Sequence, residues 1–116
     1  LVQDEQRAYE SGNRSQWIRL SGEYHLAAAR ALGNRELEGI LHTLVARTTL
    51  MIALYDSPGR NACSFEEHQA ILDAIAAGDP ERACALMDEH LQTAEAKLRQ
   101  EEPAAEVDLL NLFRPA

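Results

Sequence analysis

Residues Ser64 to His90 read SFEEHQAILDAIAAGDPERACALMDEH, and this stretch decides the fold. Gly78-Asp79-Pro80 punctuates it. Glycine suits a left-handed helix end, aspartate an N-cap, and proline a first helical position. The pattern predicts a helical hairpin, with one helix over about Phe65 to Ala77 and a second from Pro80 to Gln100. Ser64 and Glu67 have the S-x-x-E spacing of a capping box at the entry. His68 lies ten residues before Gly78, and His90 lies ten residues after Pro80. In an antiparallel hairpin, equal separation from the turn sets both rings at one height, roughly 15 Å away at 1.5 Å rise per residue. Both histidines fall on apolar stripes: Phe65, His68, Leu72 and Ile75 on the first helix, and Ala83, Met87, His90, Ala94 and Leu98 on the second. Spacings of three, four and seven residues define such faces.

Working outward, the preceding chain carries the same punctuation. Val2 to Glu10 reads as a short polar helix, ended by Ser11-Gly12, with Asn13 free to cap the next. That next helix, about Arg14 to Leu32, is apolar over most of its circumference and is expected to be largely buried. Ser21 and His25 sit on it one turn apart. Gly33-Asn34 is another stop and cap, followed by a long helix from Arg35 to Tyr55. Leu37, Ile40, Leu41, Leu44, Thr48, Met51 and Tyr55 are expected to point inward from it, with His42 on its solvated face. Arg47 borders that stripe. A boundary arginine commonly reaches for water, but it also suits an anion clamp at a cavity rim. Asp56 to Cys63 (DSPGRNAC) is a turn-rich loop that could carry Arg60 and Asn61 toward the same cavity. After Pro103 the tail turns apolar, with Val107, Leu109, Leu110, Leu112 and Phe113 suited to docking on the bundle or on a partner. The reading divides the chain into a helical bundle over 1–101 and a C-terminal tail over 102–116.

The composition agrees with an all-α protein. The chain has 116 residues, enough for one domain, with aromatics at 5% and few β-branched residues. Its formal net charge of −8 sets it against phosphate-rich partners, so nucleic acid and anionic membranes are not expected to bind this segment. No uninterrupted apolar run approaches the ~20 residues of a transmembrane helix. Cys63 and Cys84 form no redox or metal motif and read as free thiols of a reducing, cytoplasmic compartment. Because it begins at Leu1, the chain reads as part of a longer protein.

His25, His68 and His90 thus come from three helices, each on an inward face. Three imidazoles with open positions completed by solvent form a recurrent divalent-metal site. Glu67 and Glu89 each precede a histidine by one residue, about 100° around the helix, which suits them as solvated charges or outer partners rather than ligands. No carboxylate falls on the three histidine stripes. Unrelated core histidines, each hydrogen-bonded, remain the alternative reading.

At these residues the chain resembles a known family. LSGEYHLAAARALGN, LVARTTLMIALY and CSFEEHQAILDAIAAGDPERACALMDEHL are similar to the C-terminal effector-binding domain of FadR-type regulators in the GntR family of bacterial transcription factors. The likeness spans about Trp17 to Leu98 and rests on Tyr24-His25, Gly33-Asn34, Glu67-His68 with Ile71, Gly78-Asp79, Ala83 and Met87 to Leu91. It implies an antiparallel helical bundle, here lacking its first helix, that forms a homodimer and binds a small organic-acid effector. Operator DNA would be bound only through a winged-helix domain outside this chain. Many members hold a divalent metal with one Asp and three His. The three positions fall on His25, His68 and His90, while the Asp position, four residues before the first His, is Ser21. The metal expected on such a site is Zn, Ni or Mn, and Ser21, Arg47, Arg60 and Asn61 are the expected effector contacts. Two other classes fit the residues: a small metal-dependent hydrolase with an open three-His site, and a structural helical interaction bundle.

Overall fold

The structure is a computed structural model, which describes residues 1–55, 64–100 and 109–114. Its described elements are helices: α1 (Val2–Glu10), α2 (Arg14–Ala31), α3 (Arg35–Tyr55), α4 (Ser64–Ala76), α5 (Pro80–Gln100) and a single turn, α6 (Leu109–Leu112). No strand occurs among the described residues.

The chain reverses where the sequence places a glycine before an amide or acid. Gly12, Gly33 and Gly78 adopt φ of 75°, 71° and 70°, the left-handed region that a side chain disfavours. The next residue in each case caps the following helix. Asn13 accepts from the Gln16 amide at 3.2 Å, Asn34 from Leu37 at 3.0 Å and Asp79 from Arg82 at 3.0 Å. At the first and last of these turns the residue after the glycine also donates back to the preceding helix, Asn13 to the Ala8 carbonyl and Asp79 to that of Ala74.

α2 is the central helix and packs against α1, α3, α4 and α6. Trp17, Ile18 and Leu20 meet Ala8, Ala53 and Leu112 in the core. Leu112 is 2% exposed, so the far end of the tail docks on α2. α2 and α3 approach closely at Gly22. A Cβ there would stand 3.0 Å from both Thr49 Oγ1 and Val45 Cγ1. Arg14 adds a polar clasp, donating to the Ile52 and Ala53 carbonyls at 3.0 and 3.3 Å. These lie in the last turn of α3, where helical partners run out.

Two expected faces are rotated. On α3 the buried residues are Thr49 and Ala53, while Ile40, Leu44 and Met51 are 62%, 51% and 45% exposed. The small residues win because the close crossing at Gly22 admits only short side chains. On α4 the buried face is His68, Ile71 and Ala74, and Leu72 and Ile75 are exposed. α4 packs against α1 as well as α5, which turns Ile71 and Ala74 inward in place of Leu72 and Ile75. α3 is apolar and long enough to cross a membrane, with a mean hydropathy of 1.3 over its window. Here one side of it packs along α2 and part of the rest walls a cavity.

Candidate metal and effector site

Three helices bring the imidazoles together. One ring nitrogen from each of His25, His68 and His90 lies within 4.8 Å of the other two. His68 Nε2 and His90 Nε2 are 3.1 Å apart, and His90 Nε2 and His25 Nε2 are 3.4 Å apart. The hairpin turn sets His68 and His90 at one height, and α2 supplies His25 from the side.

The outward nitrogens are held by carboxylates. His68 Nδ1 lies 2.8 Å from Glu5 Oε2, and both side chains are fully buried. His90 Nδ1 lies 3.0 Å from Glu67 Oε2, a cross-hairpin pair from α5 to α4. A carboxylate accepts, so each Nδ1 carries the proton and donates it. Each Nε2 then turns a lone pair toward the centre. His25 can donate to only one of them, so His68 Nε2 and His90 Nε2 face each other as two acceptors. Two lone pairs 3.1 Å apart can be bridged by a proton or by a metal ion. The donor set therefore fits a divalent metal bound through Nε2 atoms, with the carboxylates behind two of the imidazoles.

Burial keeps two of the three imidazoles uncharged. His25 is pushed down to about 3, first by burial and then by the neighbouring His68 and His90. Burial also lowers His90, with Glu67 pulling the other way. Both imidazoles are neutral at neutral pH, the form that binds metal. Tyr24 walls the far side. Its ring stacks on His68 with centroids 4.0 Å apart and planes 9° apart, and its hydroxyl donates to the His68 carbonyl at 3.3 Å. Burial, then the charge of Glu5, pushes that phenol up to about 12, so it remains a donor.

The cluster opens on one side into a cavity of about 490 Å³ between α2, α3 and α5. His25, His90, Ser21, Gly22 and Glu67 line it, and Leu41, Leu44, Val45, Ile52 and Leu98 are among its apolar walls. His68 stands behind His90 and is not part of the lining. Ser21 lies one turn from His25 and faces the same space. Lys97, Thr48, Thr49 and Thr93 supply further polar groups. Arg47 is exposed and does not line the cavity. Arg60, Asn61 and Cys63 lie outside the described residues, as does the Ser64 side chain of the capping box. Cys84 is an exposed free thiol.

Glu67 takes the outer-partner role that its position allowed, whereas Glu5, from a helix without a histidine, was not anticipated. Glu5 escaped the sequence reading because α1 is polar overall. The available signal was its position on a face with Val2 and Ala8, both buried. Glu67 points across the hairpin because its place, one residue before His68, turns it toward α5 rather than the bundle centre.

A family model for the FCD domain matches residues 1–93. The chain belongs to the FCD domain family. No curated protein and no solved structure matched it.

Proposed function

We propose that this domain is the effector-sensing and dimerisation half of a GntR/FadR-type bacterial regulator. A divalent metal sits on His25, His68 and His90, and a small organic acid enters the cavity and completes its shell with a carboxylate. One observation carries the reading: three Nε2 atoms converge where Nδ1 of two rings is already committed, and the cluster opens toward a cavity. The FCD family supports the regulatory role. Ser21 leaves the shell without an inner carboxylate, which favours Zn or Ni over harder cations and leaves more of the shell to the effector. Effector binding would act by favouring one arrangement of the bundle over another, and so one disposition of DNA-binding heads carried outside this chain.

Homodimerisation belongs to the same proposal. Ile40 and Met51 give α3 an exposed apolar face suited to a second copy. The sensing role is tested by titrating carboxylates into the chain with and without Zn or Ni. Binding that requires metal and is lost in His90→Gln supports it, and the absence of any carboxylate that binds refutes it.

A hydrolytic reading gains Glu67, which lines the cavity beside His90 and has the chemistry of a general base. It requires metal-dependent turnover of simple esters or phosphoesters that disappears in Glu67→Gln. A purely structural bundle would tolerate replacement of all three histidines.

A further inference from the structure

α1 has the shortest and most polar sequence of the first five helices, yet it delivers a wholly buried carboxylate to the site. Glu5 and His68 are both 0% exposed, with Oε2 and Nδ1 2.8 Å apart. Burying a carboxylate is costly unless it is tightly partnered. Tyr24 holds a face of the same ring by stacking, and it anchors the His68 backbone through its hydroxyl. His68 is therefore clamped on its face, its backbone and its outer nitrogen, leaving only Nε2 free to act.

We infer that Glu5 is a positioning residue of the metal site. It holds the proton on His68 Nδ1, aims Nε2 at the centre, and supplies from behind the ring the negative charge that Ser21 no longer provides inside the shell. This rests on the metal reading proposed above. Histidine ligands commonly donate their second nitrogen to a carboxylate, which raises ligand basicity, and loss of that partner costs about 10–100-fold in metal affinity. Glu67 acts in the same way on His90, but from a half-exposed position in the cavity wall, so its contribution is the more screened of the two. α1 is thereby part of the site, although it contributes no ligand.

The test is competitive titration of Zn and Ni against a chelating indicator, using the wild-type chain and Glu5→Gln, with thermal unfolding of both in metal-free form. The expected result is a drop in metal affinity of about 10–100-fold in Glu5→Gln. Unchanged affinity in Glu5→Gln, with or without a loss of metal-free stability, makes Glu5 a structural group only and overturns the inference. If the wild type binds neither ion, the metal reading fails and the inference fails with it, a result distinct from the previous one. Should Glu5→Gln not fold, the metal-free wild type still decides through ¹H–¹⁵N correlation of its imidazoles under alkaline conditions. A proton on His68 Nδ1 is expected, and a proton on Nε2 overturns the inference.

Discussion

His25 shows how far the fold can control one side chain. It accepts a proton far less readily than a free imidazole because burial and two neighbouring histidines oppose the charge. His90 is held down by burial in the same way. The consequence for stability follows from proton linkage. An unfolded histidine takes up its proton near pH 6.5, whereas folded His25 does so only near pH 3. Between these values the unfolded chain holds more protons, so acidification favours unfolding. The metal-free protein should keep its full stability above about pH 6.5 and lose it progressively toward pH 3. Denaturant midpoints measured across that range test this, and His25→Asn should flatten the profile. The histidines were legible in the sequence because their spacing placed them on inward faces at matched height. Glu5 was not, since a single acid on a short polar helix becomes meaningful only once His68 is known to lack a partner. Arg47 followed the common fate of a boundary arginine and stayed in solvent.

At the scale of the element, helix ends were easy to read and helix faces were not. Three turns carry glycine followed by a capping side chain, which is local chemistry and shows directly in the residues. Which side of a helix is buried depends on its neighbours. Periodicity assigned α3 one inward stripe, but the helix has apolar residues around much of its circumference, and the crossing with α2 buried Thr49 and Ala53 instead. Gly22 makes that crossing. Alanine at this position would gain up to about 1 kcal/mol in helix propensity but would press on two β-branched side chains already 3.0 Å from its Cβ. Overpacking of this kind costs about 1–3 kcal/mol. Gly22→Ala should therefore be destabilised by about 1–2 kcal/mol in chemical unfolding. Equal or greater stability than wild type would show that α3 can move away freely.

At the scale of the whole molecule, the bundle measures 42 × 26 × 26 Å and keeps an uneven surface. The face of α3 that carries Ile40 and Met51 stays open to solvent in a single copy, at 62% and 45% exposure. Exposed apolar faces of this kind mark association surfaces. Sedimentation should find a concentration-dependent dimer, and Ile40→Lys should shift it toward monomer without altering helix content. A wild-type monomer at all concentrations would remove α3 from the dimerisation proposal. Sequence periodicity found this stripe but assigned it to the chain's own core, because an apolar stripe reads the same whether it meets the core or another molecule.

All three scales meet at the cluster of His25, His68 and His90. The most direct measurement is elemental analysis of the chain purified without chelator, alongside a His68→Gln, His90→Gln variant that still folds. About one divalent ion per chain is expected in the wild type and none in the variant. A wild-type chain that takes up neither Zn, Ni nor Mn even on reconstitution, or a variant that retains the ion, would contradict this expectation.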